Sequence, residues 1–498
     1  MYRPGPRGRT GRSRPTAGES VLRQGKTVHL IGICGTGMGS LAGLLKARGF
    51  DVRGSDQDVY PPISTMLESL GIPLMKGYGA ANLQPAPDLV VVGNVVGRAN
   101  PEVAALLGSG LPYMSMPQAL GEFVLAGRHP VVVTGTHGKT TTSALMSHVL
   151  SSAGRDPSYL VGGVMLGADR SFRLGEGSHV VVEGDEYETS FFDKGPKFLH
   201  YRPRTAILTS IEYDHAEMYP SVEAIEDAFA RFIALIPPDG RLVACMESPR
   251  VAAAAARAGC EVTGYGLEAG DLRARIERAG PEGTVFTVHP GGSSARFAIP
   301  QTGSHNVLNS LAVVAAARSL GLEDGEIARG LSDFRGVRRR QEIVGTADGV
   351  TVIDDFAHHP TAVRETIAGT RSRFPGRTLW AVFEPRTNTT RRAVFQEAYA
   401  SAFDQADVSI VASVDHPERA PEGDRLDVDR LVDELKSRSL DARHIPDPDA
   451  IVRCLIEECA PGGVVLVMSN GAFGGIHRKL VDALGRREAA RAEGAAGA

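Results

Sequence analysis

The sequence predicts an α/β protein of three domains, and three observations carry that expectation. Its 498 residues leave room for about three domains of roughly 100–200 residues each. From residue 27 onward, short β-branched runs alternate with Ala/Leu-rich stretches of helical length, the pattern of parallel sheets covered by helices. Two glycine-rich turns, Gly32–Gly39 and Gly135–Gly138, each follow such a run and open such a stretch.

Taken in chain order, residues 1–26 hold six Arg and one Lys among Pro, Gly and Ser. They lack the apolar stretch of a secretory signal and predict a disordered basic tail. Strands are expected at Val28–Ile33, Leu89–Gly93, Val131–Gly135, Val180–Glu183, Ala206–Ile211, Val350–Ile353, Leu379–Phe383, Val408–Ala412 and Val464–Met468. Helices are expected at Lys139–Ser152, Ser221–Leu235, Asn306–Leu320, Thr361–Arg373 and Arg391–Phe403. Gly/Pro-rich turns within Ala274–Pro300 break the rhythm and predict an antiparallel appendage. The units are therefore 27–125, 126–335 and 336–485, with an Ala/Gly/Arg-rich end at 486–498 expected to fray.

Composition narrows the function. At 42% hydrophobic residues the chain can bury several cores, which excludes bulk disorder. A formal net charge of −4 gives no dominant positive field, so a nucleic-acid coat or a polybasic membrane binder is excluded. No apolar run reaches the roughly 18–20 residues of a transmembrane helix. Cys34, Cys245, Cys260, Cys454 and Cys459 contain no CxxC pair and fit neither a disulfide framework nor a zinc site, which points to a reducing cytoplasm. Of 54 basic residues only eight are lysine, so chemistry that needs an ammonium has few places to reside.

The strongest chemical signal is Gly135-Thr136-His137-Gly138-Lys139-Thr140-Thr141 between a strand and a helix. Glycine lets backbone N–H groups approach phosphate oxygens, the helix N-terminus adds a positive dipole, and Lys139 is long enough to reach a β- or γ-phosphate. Thr140 is then placed to bind Mg²⁺, and a nucleotide phosphate is the expected ligand. Carboxylates follow the next strands, in Glu183–Glu188 and in Glu212–His215; Glu183 and His215 are the expected metal ligands with Thr140. Glu183, His215 and Lys139 make the expected catalytic set.

The turn Gly32–Gly39, with Asp56 17 residues beyond its last glycine, resembles the dinucleotide fingerprint, so Gly35, Thr36, Gly37, Met38 and Asp56 are expected to dock a nucleotide. His305, Asn306 and Asn309 open a helix where amides suit adenine edges, and Asp355 ends a strand where it could hold a ribose. The adjacent His358 and His359 project in different directions, which argues against a metal pair. Arg386 and Asn388 lie in a polar loop after a strand. Arg391 and Arg392 read as a solvated arginine face.

In this order the motifs Gly32–Gly39, Gly135–Thr142, Glu183–Glu188, Asp214-His215, His305–Asn309, Arg338–Arg340 and Asp354–Pro360 resemble those of the Mur ligases, over about residues 27–485. The resemblance implies a Rossmann-like N-terminal domain that binds UDP-N-acetylmuramate, a central P-loop ATPase domain and a C-terminal Rossmann-like domain that brings the acceptor. It also implies ATP-driven amide formation through an acyl phosphate, with ADP as product. His305, Asn306, Asn309, Arg339 and Asp355 would hold the adenosine and its phosphates, and Arg386 and Asn388 the carboxylates of a peptide.

Two acceptors compete within the branch that uses UDP-N-acetylmuramate. The segments Asp58–Thr65, Ser190–Phe198, Glu384–Thr389 and Ser469–His477 resemble the enzymes that attach a recycled L-alanyl-γ-D-glutamyl-meso-diaminopimelate tripeptide rather than those that add L-alanine. The implied partners are small molecules, with no nucleic acid, membrane or obligate protein partner. Several family members carry a carbamylated lysine downstream of the His215 motif. This chain has no lysine between Lys197 and Lys436, so the resemblance implies activity without bicarbonate. A nicotinamide oxidoreductase would leave Lys139 without a role, and a P-loop switch would leave Gly32–Gly39 without one.

Overall fold

A computed structural model describes residues 25–289 and 295–496. Most of the expected basic tail lies outside the described residues. Three sheets follow one another along the chain. The first contains β1 (Thr27–Ile31), β2 (Asp51–Asp56), β3 (Leu74–Lys76), β4 (Leu89–Val92) and β5 (Tyr113–Ser115). All its pairings are parallel, in the order β3-β2-β1-β4-β5. The order reverses at β1, so the turn Gly32–Gly39 leaves the sheet at its switch point, where open α/β sheets bind ligands.

The central sheet has ten strands: β6 (His129–Thr134), β7 (Ser158–Leu160), β8 (Phe172–Arg173), β9 (His179–Gly184), β12 (Thr205–Leu208), β13 (Arg241–Cys245), β14 (Glu261–Gly266), β15 (Leu272–Gly280), β16 (Gly283–His289) and β17 (Ala295–Ile299). A separate hairpin joins β10 (Glu188–Ser190) to β11 (Asp193–Pro196). β6 sits between β12 and β9, both parallel to it. Its alternate residues feed two cores. Val132 packs with Phe198, Ile225 and Phe229, while Val131 and Val133 pack with Leu145, Val149 and Leu311. That burial on both faces explains the unbroken valine run. The expected antiparallel appendage is present as β15, β16 and β17.

The last sheet orders β18 (Glu342–Ala347), β19 (Val350–Asp355), β20 (Leu379–Phe383), β21 (Val408–Val411), β22 (Asp441–His444) and β23 (Val464–Met468) as β18-β19-β23-β20-β21-β22. Only β18 runs antiparallel to its neighbour.

Two elements differ from expectation. The stretch 391–403 is a short turn, Ala393–Phe395, followed by the helix Gln396–Ala400. The Arg391 guanidinium is drawn inward onto the Asp415 carbonyl and Asn388, and Arg392 onto Asp424, so neither residue extends a solvated helical face. The C-terminal end does not fray within the described residues. The helix Ile476–Ala496 continues because Arg487 and Arg491 both bond Asp348.

Far from the glycine loop, at the opposite end of β6, His129 lies beside His179 on β9, ring centroids 5.4 Å apart. Burial and the neighbouring His179 push His129 down to about 4, and burial lowers His179 as well. The unfolded chain takes up these protons near the ordinary histidine value and the folded chain does not. Stability is therefore expected to fall as pH drops below about 6.5. His129→Gln keeps a partner for Thr205 and is expected to shrink the loss in thermal midpoint between pH 7 and pH 5, measured by circular dichroism.

Candidate active site

The phosphate loop leaves β6 at Thr134. Gly135 and Gly138 hold φ of 128° and 79°, which L side chains rarely adopt, and Gly138 also lies against the Asn309 amide, with no space for a Cβ. Lys139 starts the helix Lys139–Ser152 and is buried. Its Nζ donates to Gly135 O at 2.6 Å, to Thr136 O at 3.3 Å and to both Glu186 oxygens at 2.9 and 3.0 Å. Burial disfavours the ammonium, but Glu186, Asp185 and Glu183 overcome it and raise the Lys139 pKa. The same pairing, with His215, outweighs burial at Glu186 and keeps it ionised.

Of the three expected metal ligands, the structure brings two together. Thr140 Oγ1 donates to Glu183 Oε1 at 2.9 Å, and Glu183 Oε2 accepts from the Gly162 N–H at 2.7 Å. Burial and Asp185 push the Glu183 carboxyl up, a cost that a bound cation would relieve. Hard oxygens beside a phosphate loop suit Mg²⁺. His215 stands apart from this pair. Its Nε2 lies 3.2 Å from Glu186 and its Nδ1 3.6 Å from Glu217. Despite burial, these carboxylates and Asp214 raise it to about 10, so in this conformation it is an imidazolium rather than a free ligand.

The nucleotide residues divide similarly. Asn309 accepts from Thr142 Oγ1 at 3.1 Å, and Asn306 donates to Thr302 O at 2.8 Å, so these amides buttress the loop instead of facing a base. His305 keeps an unpartnered, buried Nδ1, and the unpartnered Gln341 Nε2 lies near it across Gly369. Thr136 exchanges bonds with the Glu212 backbone. Thr141 is half-buried on the first turn of the helix. The His137 ring lies against that of His359, centroids 4.5 Å apart and tilted by 50°, and its backbone N–H donates to Ser210 Oγ at 3.0 Å.

Two expectations require correction. Arg339 bonds Asp354, Ser469 O and Gly471 O inside the last domain. The neighbouring Arg340 is the one that reaches Thr140 Oγ1, at 3.4 Å. Asp355 is buried, and both of its oxygens are taken by the Gln341 and Ala357 N–H groups, which leaves no open carboxylate for a ribose.

In the first domain, Gly35 and Thr36 are exposed at the start of the helix Thr36–Ala47, Gly37 is half-exposed and Met38 is buried. Asp56 accepts from the Cys34 N–H at 2.8 Å and from Tyr78 at 3.1 Å, fixing the loop from beneath. In the last domain, the Arg386 guanidinium lies flat on Gly471, where a Cβ would collide with it, and is 37% exposed. Asn388 is committed to Arg391. The buried Asn470 Oδ1, in the loop that carries Gly471, has no partner.

Comparison with known proteins places this geometry. Residues 27–128 match the Mur ligase family catalytic domain, 133–317 the Mur ligase middle domain and 339–471 the Mur ligase glutamate ligase domain. The chain belongs to the Mur ligase family. A UDP-N-acetylmuramate–L-alanyl-γ-D-glutamyl-meso-2,6-diaminoheptandioate ligase of Escherichia coli is 39% identical over 467 residues, covering 92% of this chain and 98% of the relative. A UDP-N-acetylmuramate–L-alanine ligase of Rubrobacter xylanophilus is 34% identical over 449 residues, covering 89% and 97%. Among solved structures, a murein peptide ligase of Psychrobacter arcticus aligns with a TM-score of 0.68 at 35% identity, covering 93% and 99%. The UDP-N-acetylmuramate–alanine ligase of Thermotoga maritima aligns with 0.75 at 26% identity, covering 92% and 98%.

As a Mur ligase, the protein is an ATP-dependent, amide-forming ligase. Among the described residues no helix is long and apolar enough to cross a membrane. Sequence reasoning named the Glu183–Glu188 cluster but missed the part played by Glu186, which bridges Lys139 and His215. Its position three residues after Glu183 was the available signal. Replacing Glu186 with Gln leaves two buried cations without their shared counter-charge. The expected cost is about 3 kcal/mol of stability, read by denaturant unfolding of the central domain. An unchanged midpoint would remove Glu186 from this role.

Proposed function

We propose that this chain joins L-alanyl-γ-D-glutamyl-meso-diaminopimelate to UDP-N-acetylmuramate at the expense of ATP, in the cytoplasmic recycling of cell-wall peptide. The observation that carries this reading is the meeting of the last domain with the phosphate loop of the central one, beside a first domain that presents its own glycine turn. Lys139 and the Thr140–Glu183 pair lie in the central domain, Arg340 reaches Thr140 from the last, and the exposed Gly35–Gly37 turn belongs to the first. The 39% relative named for the tripeptide acceptor supports the choice of acceptor. The segment Ser190–Phe198, whose sequence resembles the tripeptide enzymes, sets Phe192 against Tyr113 of the first domain, ring centroids 5.1 Å apart.

A carboxylate is a poor electrophile, so the muramate carboxylate attacks the ATP γ-phosphorus and ADP leaves, giving an acyl phosphate. Lys139 exchanges part of its Glu186 contact for phosphate oxygens, and Arg340 approaches them from the opposite domain, neutralising charge as it shifts to the leaving group. Mg²⁺ held by Thr140 and Glu183 would supply further neutralisation. The acceptor's neutral α-amine then attacks the acyl carbon and expels phosphate. Arg386, half-exposed and held flat, is suited to a peptide carboxylate, and the unpartnered Asn470 Oδ1 to a donor on the same peptide.

Phosphate release with ATP, Mg²⁺ and UDP-N-acetylmuramate is expected with the tripeptide and not with L-alanine, without added bicarbonate. Lys139→Ala is expected to abolish it. Turnover with L-alanine alone would move the chain to the other acceptor class. Arg386→Ala is expected to raise the KM for the tripeptide by roughly tenfold or more while leaving that for UDP-N-acetylmuramate unchanged, about 1.4 kcal/mol at steady state.

A further inference from the structure

A second cluster of metal-ligating atoms, sharing no residue with the Thr140–Glu183 pair, is used by no step above. His137 comes from the loop, Glu212 from the segment after β12, and His359 from the N-cap of the helix Pro360–Arg373 in the last domain. His137 Nε2 lies 3.5 Å from Glu212 Oε2, and His359 Nδ1 lies 3.8 Å from that same oxygen. One ligand atom from each of the three residues falls within 4.8 Å of the others. Bonds of about 2.0–2.1 Å to a tetrahedral zinc ion set its ligand atoms roughly 3.3 Å apart, so only small side-chain shifts separate this arrangement from a coordination shell.

The hydrogen bonding favours the same conclusion. His359 Nε2 donates to Tyr213 O at 3.3 Å, which leaves Nδ1 as the lone-pair atom. That is how a metal-binding histidine is fixed by a backbone carbonyl. Nδ1 accepts from the Thr361 N–H at 3.3 Å as the N-cap of its helix, a contact that a cation would replace. Thr361 Oγ1 donates to Glu212 Oε2 at 2.7 Å and orients the carboxylate. His137 Nε2 is buried and has no hydrogen-bond partner. A cleft of about 630 Å³, lined by Glu212, His359, Thr361 and Phe395 among others, opens beside two of the three ligand residues.

We propose that His137, Glu212 and His359 form a site for a zinc-class dication that ties the last domain to the phosphate loop. Two imidazoles and one carboxylate favour Zn²⁺ or Co²⁺ over Mg²⁺, which prefers oxygen. Since His359 belongs to the domain that brings the acceptor, the bound ion would hold that domain closed and retard product release.

The test is titration of the metal-free full chain with Co²⁺, followed in the visible region, in the presence of excess Mg²⁺. One equivalent is expected to give four-coordinate bands that Zn²⁺ displaces. Glu212→Gln and His359→Gln are each expected to weaken binding by about tenfold or more, whereas Glu183→Gln keeps it. Bands that survive both cluster variants, or that vanish only in Glu183→Gln, overturn the proposal. X-ray absorption at the zinc edge of the wild-type protein decides the matter without any variant. Two imidazole ligands support the site, and one or none, as the Thr140, Glu183 and His215 set would give, refutes it.

Discussion

The buried contact between Lys139 and Glu186 is the constraint on which the rest of the site depends. An ammonium taken out of water costs several kcal/mol unless paired, and here one carboxylate serves both Lys139 and His215. That sharing sets the distances within the site. It pulls the loop after β9 toward the phosphate loop, places Asp185 and Glu183 beside the same charge, and keeps His215 protonated in the absence of a competing cation. It also holds Lys139 on the carbonyls of Gly135 and Thr136, where phosphate oxygens would otherwise be its partners. Nucleotide binding is therefore an exchange of one set of anions for another around a charge that stays buried throughout, and the reorganisation it requires is small.

Much of this was legible in the sequence, because strand, glycine loop and helix are local events. The valine run of β6, the positive-φ glycines and the Lys-Thr pair follow one another within a dozen residues, and each has one physical meaning. Thr140 and Glu183 were legible for a related reason: parallel neighbours such as β6 and β9 bring their carboxyl ends to one edge. Asp56, too, lies at the end of β2 beneath the first glycine loop, although it braces the backbone rather than facing open solvent.

What was not legible turns on side-chain direction. Arg338, Arg339 and Arg340 are consecutive, and which of them reaches Thr140 is set by the positive φ of Arg339 and of Gln341, 60° and 50°. Those values turn Arg339 onto Ser469 and stack Arg340 on Phe356, 4.8 Å from its ring centroid. Asp355 presents no open carboxylate because one oxygen accepts the Ala357 N–H of the turn that follows its strand and the other the Gln341 N–H just before β18. His359 was set aside because adjacent residues diverge. They do, and the divergence sends it across the domain boundary to His137 and Glu212. Arg391 looked like surface because arginine usually is, yet its guanidinium closes a buried turn against Asp415.

The contacts that join the last domain to the central one share a character that bears on turnover. Arg340 to Thr140 is 3.4 Å, Thr361 to Glu212 2.7 Å, Ala216 N to Thr389 3.4 Å and Arg392 to Ala216 O 3.4 Å. Others are shorter, Thr302 Oγ1 to Gly369 O at 2.7 Å, Ser304 to Glu365 at 3.1 Å and Arg338 N to Val164 O at 2.9 Å, and Val337 packs in the core of the central domain. Each such bond contributes on the order of 0.5–1.5 kcal/mol net, so the junction is carried largely by polar contacts. The first domain is different. Its core is continuous with that of the central domain, and Gly43 on its first helix has no room for a Cβ against Phe172. Two domains that share one core, joined to a third largely through polar contacts, suit a reaction whose acyl intermediate must be shielded from water and whose product must then leave.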